Sequence, residues 1–463
     1  MITRIEVDGF KSLSNFKMAL NPALNVLVGP NGTGKTNIVS FFEFLAHVIE
    51  SDPAEATSYL GGAGAILRRV KDTYQTLISA RVIGCYPFSH KMQVHFPVDD
   101  KMKDRFAFYD FGFTLQYLGS LEPVVFAKQH LRYKQGKKFV DHQNIEQEST
   151  DWDLEIEMSL NFQEMKPVVK VKTFKDSMRQ LIPIFPHKTK DAVIVPQVEH
   201  FLGSVCSANT SLPTVLSRFS PLVVLLSVDI AGGQAYNIIP SRVRLPEDSA
   251  KPPGIASDGS GLATTLYSLK RRMPSNANYN LWQMFAPGRQ QVLKTPSLDI
   301  LKNYFQLANK SISEVEIKID PFNNQVQVSF EVKNGQYTAQ MPLSLMSDGT
   351  LKWITLLTAA LTASSVFSIE EPENYLHPNM QAQCVNILRD ILFQENKHAC
   401  ILMTTHSETV LNNCKPSELI IVNLKDGQTI AYRCHNEAEI SDEIAKTGFG
   451  LGYYYINNAL QND

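Results

Sequence analysis

The sequence has no apolar run near the ~18 residues that a membrane-crossing helix needs, so no span is expected. Charge comes early, at Arg4 and Glu6, so the first residues read as a strand and not as a signal peptide. Cysteine is sparse: Cys85, Cys206, Cys384, Cys400, Cys414 and Cys434 are the only six in 463 residues. They show no paired metal-ligand spacing, and buried thiols in a reducing cytoplasm fit them better than disulfides. The formal net charge is only -2, which argues against a generally basic nucleic-acid binder. There is no repeat, no low-complexity tract and no long heptad run, which excludes a coiled-coil arm. What is left is a chain with 44% hydrophobic residues, able to bury a large core and long for one domain.

The most informative stretch that is present is Gly29-Pro30-Asn31-Gly32-Thr33-Gly34-Lys35-Thr36. It fits G-x-x-x-x-G-K-[ST] in the context that motif requires. An apolar strand, Leu24 to Val28, precedes it, and a helical pattern from Asn37 to about Ile49 follows. Backbone N–H groups of such a loop cradle phosphates, and its glycines permit positive φ and close approach. Lys35 is then expected to reach the β- and γ-phosphates, and the Thr36 hydroxyl to bind Mg²⁺. Asn37 joins the loop as a nucleotide-binding candidate.

Three motifs near the other end extend this reading. Val366 to Ile369 is a short apolar strand ending in Glu370-Glu371. A carboxylate at a strand end beside a phosphate loop can hold Mg²⁺, and a second can orient the attacking water. Cys400 to Met403 form another apolar strand, ending in Thr404-Thr405-His406, and a His at such a tip can reach a γ-phosphate or water. Ser347-Asp348-Gly349 precedes the helical pattern Leu351 to Leu361, and a Ser-x-Gly turn at a helix N-terminus can meet an anion.

These motifs resemble the ATP-binding-cassette (ABC) ATPases, within them the branch of chromosome-maintenance (SMC), Rad50 and RecF-like proteins. The opening Ile5-Glu6-Val7-Asp8-Gly9-Phe10-Lys11-Ser12-Leu13 looks like that branch's first strand and turn. Glu370-Glu371-Pro372-Glu373-Asn374-Tyr375-Leu376-His377-Pro378 is similar to the second carboxylate motif of the bacterial AAA-15/AAA-21 ATPases, relatives of the OLD nucleases. The resemblance implies an α/β P-loop fold of the ABC type, with a split core and an antiparallel β lobe. It assigns Gly29 to Thr36 to the Walker A loop and Ser347, Asp348 and Gly349 to the signature. It makes Glu370 the Walker B metal residue, Glu371 the catalytic base, Glu373 to His377 the D-loop, and His406 the switch histidine. In this group Lys35, Glu371 and His406 are catalytic, and ATP and Mg²⁺ are the cofactors. Glu370 departs from the usual Asp by one methylene, which points to Mg²⁺ met through water. The Q-loop glutamine has only two candidates, Gln75 and Gln129.

Most of the chain separates Thr36 from Ser347, so the core is expected to be split by an insertion. The expected division is 1–72 for the Walker A part, 73–175 for an antiparallel β lobe, 176–310 for a mainly helical insertion and 311–463 for the remaining core. Strands are expected at Leu77 to Cys85, Phe106 to Leu118, Val124 to Tyr133, Leu154 to Phe162, Glu314 to Ile319 and Gln325 to Val332. Helices are expected at Leu262 to Met273 and Ser297 to Ala308, with a Pro/Gly/Ser/Asp-rich loop at Pro246 to Gly261 before them.

Other candidates have plainer readings. Basic runs at Arg68 to Lys71, Arg132 to Lys138 and Lys270 to Arg272 read first as solvated faces, and as a DNA or RNA contact only if they converge. Asp151-Trp152-Asp153 reads as a polar loop, and Glu437, Glu439, Asp442 and Glu443 as a solvated helix face. His377 reads as a cap, Arg242 and Arg244 as structural ion-pair partners, and Lys11 as a neighbour of bound nucleotide.

By resemblance, the chain dimerises around ATP, or forms a higher homo-oligomer, through sites shared between subunits. The remainder after His406 is too short for the TOPRIM nuclease domain of OLD nucleases, so a separately encoded effector is expected, a nuclease of HNH or TOPRIM type. The setting implied is bacterial anti-phage defence. The alternative is a RecF-like ATPase of DNA repair and recombination.

Overall fold

The computed structural model describes residues 1–87, 106–119, 121, 123–136, 151–175, 178, 191–271, 298–363, 366–394, 400–434 and 437–457. A strand such as Ala23–Val28, apolar on both sides, is stable only between two covered faces. It lies inside a six-stranded sheet in the order Gln234–Tyr236, Val366–Glu370, Cys400–Thr404, Ala23–Val28, Leu419–Lys425, Gln428–Arg433. The first five strands run parallel, and the last closes the edge as an antiparallel hairpin.

Alternation along these strands feeds two cores. Leu24, Val26, Val28, Phe367, Ile369, Ile401 and Met403 enter one, while Leu27, Val366, Cys400 and Leu402 enter the other. The Lys35–Glu50 helix covers the Leu27 face with buried Phe41, Phe42, Phe44 and Leu45. The Asp348–Thr362, Pro378–Gln394 and Leu262–Arg271 helices cover the other face.

A second, antiparallel sheet has seven strands in the order Lys166–Phe174, Leu154–Asn161, Val124–Gly136, Phe106–Tyr117, Leu77–Pro87, Ile2–Asp8, Phe16–Ala19. One face shares the core of the Lys35–Glu50 helix, where the Phe10 ring meets Phe41 at 5.6 Å and Phe44 at 5.3 Å between centroids. The opposite face carries Arg81, Asp110, His130, Arg132 and Glu155 as one ionic network. A smaller sheet pairs Ile312–Asp320, Gln325–Asn334, Tyr337–Pro342 and Glu247–Asp248.

The fold is α/β of the P-loop type with a large antiparallel lobe, as the motifs imply. The six expected strands are present with ends shifted by a few residues. Lys166–Phe174 and Tyr337–Pro342 are strands that the sequence reading lacks, and Gln234–Tyr236 adds an edge strand to the parallel sheet from within 176–310. The antiparallel sheet also takes in Ile2–Asp8 and Phe16–Ala19, from before residue 73. The ends expected at Arg272, Met273 and Ser297, and the expected basic positions Lys137 and Lys138, lie outside the described residues. All six cysteines are buried. Among the described residues no helix is long and apolar enough to cross a membrane.

Candidate functional site

Three neighbouring parallel strands end on the same side, and their ends carry the expected chemistry. Ala23–Val28 leads into the Gly29–Thr36 loop, Cys400–Thr404 into Thr405-His406, and Val366–Glu370 into Glu371. Parallel open sheets place ligand sites at these carboxyl ends.

The loop closes on itself. Lys35 is 8% exposed, and its Nζ donates to the Gly29 carbonyl at 2.7 Å and the Pro30 carbonyl at 3.0 Å. Burial lowers its pKa and the nearby Glu371 charge opposes that shift. Thr33 Oγ1 donates to the Pro30 carbonyl at 2.9 Å. Gly34 has φ +100° at the helix N-cap, and a Cβ there would lie 2.0 Å from Thr429 Oγ1. Only glycine fits that position. Pro30, Asn31, Gly32 and Thr36 stay exposed at the mouth of the loop. The exposed loop, its helix N-terminus and the Lys35 ammonium suit a polyphosphate, and the Thr36 hydroxyl with Glu370 suits a Mg²⁺ held mainly by phosphate and water.

A second layer fixes the loop. Thr429, 1% exposed, donates from Oγ1 to the Thr33 carbonyl at 2.9 Å. Its Oγ1 lies 2.6 Å from Ser12 Oγ, which accepts from Asn37 Nδ2 at 2.7 Å. With each acceptor so used, the protons run one way: Asn37 to Ser12, Ser12 to Thr429, Thr429 to Thr33. The first turn of the chain and the hairpin Leu419–Arg433 thus clamp the loop together, and Asn37 spends its amide there. Thr429→Val removes two of these bonds at unchanged volume and leaves the Thr33 carbonyl without its donor. The expected result is a loss of about 1–3 kcal/mol in nucleotide affinity, read by calorimetric titration of an ATP analogue; unchanged affinity would refute the clamp.

The carboxylates sit one strand beyond the His406 strand. Glu370 pairs in register with Thr404, and the Glu371 N–H donates to the Thr404 carbonyl at 3.0 Å. Glu371 has φ +43°, a region costly for a side chain of this size. Asn374 Nδ2 holds Glu371 Oε2 at 2.8 Å. Glu373 Oε1 accepts from Thr405 Oγ1 and from the His406 N–H, both at 2.8 Å, and so ties the Glu371–His377 loop to the His406 turn. Burial raises the Glu370 pKa, the Glu371 charge raises it further, and Lys11 opposes both. Glu43, on the Lys35–Glu50 helix, is pushed to about 7 by burial and by Glu370, with Lys11 again opposing. Lys11 therefore answers two carboxylates beside the phosphate loop. The sequence reading missed Glu43, although a lone acid in Phe41-Phe42-Glu43-Phe44-Leu45 was a usable signal.

The Ser347–Gly349 turn is placed differently. Ser347 caps the Asp348–Thr362 helix by accepting from the Thr350 N–H, and both Ser347 and Asp348 are exposed. Arg244 Nη2 holds the turn through the Met346 carbonyl at 2.7 Å and Asp348 Oδ1 at 2.5 Å. This is the structural pairing expected of Arg244, and Arg242 lies 3.8 Å from Asp258.

The remaining candidates are structural in their contacts. Gln129 is committed to the Thr210 carbonyl and the Leu212 N–H, and Gln75 donates to Asp8 Oδ2. Asp151 and Asp153 share Lys175, His377 Nδ1 accepts from the Asn379 N–H, and the Glu437–Thr447 helix turns Glu439, Asp442 and Glu443 to solvent. Of the basic runs, Arg69 pairs with Asp72, Arg132 with Asp110 and Glu155, and Lys270 with the Ile317 carbonyl. Among the described residues no cluster of three or more His, Cys, Asp or Glu is arranged for a metal.

Residues 1–191 match the family described as "AAA ATPase domain", and residues 241–412 the family described as "AAA domain, putative AbiEii toxin, Type IV TA system". A stretch of 46 residues is 41% identical to the DNA replication and repair protein RecF of Erwinia tasmaniensis, spanning 10% of this chain and 13% of that protein. Among solved structures, an SMC head bound to the C-terminal winged-helix domain of ScpA aligns over 95% of this chain and 99% of its own, at 11% identity and TM-score 0.45. The SMC head domain from Thermotoga maritima aligns over 93% and 98%, at 11% identity and TM-score 0.39. The two matched segments carry the Gly29–Thr36 loop on one side and the Ser347–Gly349 turn, Glu370, Glu371 and His406 on the other, so the chain is similar to two AAA ATPase families over the parts that build this site.

Proposed function

We propose that this protein hydrolyses ATP with Mg²⁺ and works as a switch that closes as a homodimer, or a higher homo-oligomer, around the nucleotide. The observation that carries the reading is the convergence of Lys35, Glu371 and His406 on three adjacent strand ends. The Gly29–Thr36 loop and Lys35 grip the phosphates, while Thr36 and Glu370 would hold Mg²⁺, which when bound would supply positive charge against the phosphates. Glu371 orients water for in-line attack and takes its proton, and His406 meets the γ-phosphate. The exposed Ser347–Gly349 turn serves a second copy's nucleotide, so each site needs two chains.

The switch acts on a separately encoded effector, a nuclease of HNH or TOPRIM type, in bacterial anti-phage defence. The toxin–antitoxin system named in one family description supports a two-component setting. The test is co-expression of the chain with its neighbouring genes and affinity purification with ATP. A stoichiometric protein partner is the expected result; an isolated protein with no ATP-dependent self-association would defeat the proposal. The 46-residue RecF match favours a second reading, a DNA-clamping repair ATPase. That reading requires DNA retained in ATP, shed in ADP and lost steeply with added salt.

A further inference from the structure

A buried lysine links the signature helix to the loop that carries the water-orienting carboxylate of the same chain. Lys352 lies one turn after Ser347 in the Asp348–Thr362 helix. It is 1% exposed, although lysine is rarely buried without a reason that offsets desolvation. Its Nζ donates to the Glu371 carbonyl at 2.9 Å and lies 5.6 Å from the centre of the Tyr375 ring.

The loop it touches is strained at both ends. Glu371 has φ +43° and Tyr375 φ +68°, left-handed values that side chains of this size do not adopt without outside support. Lys352 supplies support at both: a charge-assisted hydrogen bond to one residue and a cation over the ring of the other. The helix and the loop also meet directly. A Cβ on Gly349 would lie 2.8 Å from the Tyr375 carbonyl, so the signature glycine is what lets the helix N-terminus approach. Inside the loop, Asn374 bonds Glu371 twice, through the Glu371 carbonyl at 3.2 Å and Oε2 at 2.8 Å. The Glu371 backbone is thus pinned from the signature helix, and its carboxylate from within the loop.

We propose that Lys352 is a positioning residue for ATP hydrolysis: it sets the Glu371 backbone from the signature helix, so that helix and carboxylate move as one body. The inference rests on the reading of Glu371 as the residue that orients water. Arg244 extends the link outward, since it holds the Met346 carbonyl and Asp348 at the start of the same helix. The Asp348–Thr362 helix thus joins the Arg244 contact at its start to the Lys352 contact with Glu371.

The test uses the full chain, with steady-state phosphate release as the readout. Lys352→Met keeps length and apolar volume and removes the donor and the charge. A carboxylate displaced on the scale of an ångström loses about 10- to 100-fold in turnover, so kcat falls by that factor with KM nearly unchanged. The same substitution in the Glu371→Gln background, where no carboxylate remains to be placed, produces no further fall. A residue that served stability alone would lower activity by the same factor in both backgrounds. Lys352→Gln keeps a neutral N–H donor and carries the same comparison if the Met variant does not fold. Wild-type protein without hydrolysis would overturn this inference together with the reading of Glu371. Wild-type hydrolysis with the Lys352 variant unchanged, or reduced equally in both backgrounds, would overturn this inference alone.

Discussion

Glu371→Gln is expected to lower ATP turnover by about 10²- to 10⁴-fold without weakening ATP binding. The geometry makes the substitution clean. Asn374 Nδ2 donates to Glu371 Oε2, and a glutamine carbonyl can accept that bond in place of the carboxylate. The backbone anchors, from the Thr404 carbonyl and from Lys352, do not involve the side chain. In the proposed mechanism, what disappears is the acceptor for the proton of water. Electrostatics favour retained binding as well. The Glu371 charge is one of the causes that raise the Glu370 pKa, after burial. Without it Glu370 ionises more readily, which favours the divalent cation that the proposed mechanism places there. ATP-loaded protein should then accumulate in its associated form, seen as a larger species by sedimentation velocity in ATP and not in ADP. Turnover within tenfold of wild type would remove Glu371 from the mechanism.

The parts of this site legible in the sequence are those fixed by neighbours in the chain. A strand, a glycine-rich loop and a helix in succession dictate the Gly29–Thr36 geometry, and short apolar strands announce where Glu370 and His406 emerge. What could not be read depends on long-range contact. Ser12 and Thr429 are 417 positions apart, and nothing local to either marks a clamp on the phosphate loop. Lys352 interrupts an apolar helical pattern, yet only the packed structure shows a carbonyl waiting for it. Gln234–Tyr236 is too short to show a period, and Lys166–Phe174 alternates Val169 and Val171 with lysines in a way that a solvated loop also can. Burial of the alternate positions, a tertiary property, separates the two.

Away from the site, Asp110→Asn should be the most damaging polar substitution in the antiparallel sheet. Asp110 is 1% exposed and accepts from Arg81 Nε and Nη2 at 2.9 Å each, from Arg132 Nη1 at 3.3 Å, and pairs with His130 Nε2 at 3.1 Å. The amide removes the charge that the two guanidinium groups share, and leaves Arg132 to Glu155 at 3.0 Å and Arg81 to Glu6 at 3.8 Å. Breaking such a network costs about 3–5 kcal/mol when fully buried. The Arg81 and Arg132 side chains are 33% and 30% exposed, so water screens part of it and the lower end applies. The pH dependence has a definite sign. Burial alone would raise the Asp110 pKa, but the hydrogen bonds and charges of His130 and Arg81 outweigh it and hold the carboxyl well below the usual range. A depressed folded pKa stabilises the fold above the unfolded value, about 3.9, and that stability drains away as pH falls below it. The gap between wild type and Asp110→Asn in urea midpoint should therefore be full at neutral pH and shrink below about pH 4. A gap independent of pH would mean that packing, and not charge, makes Asp110 matter.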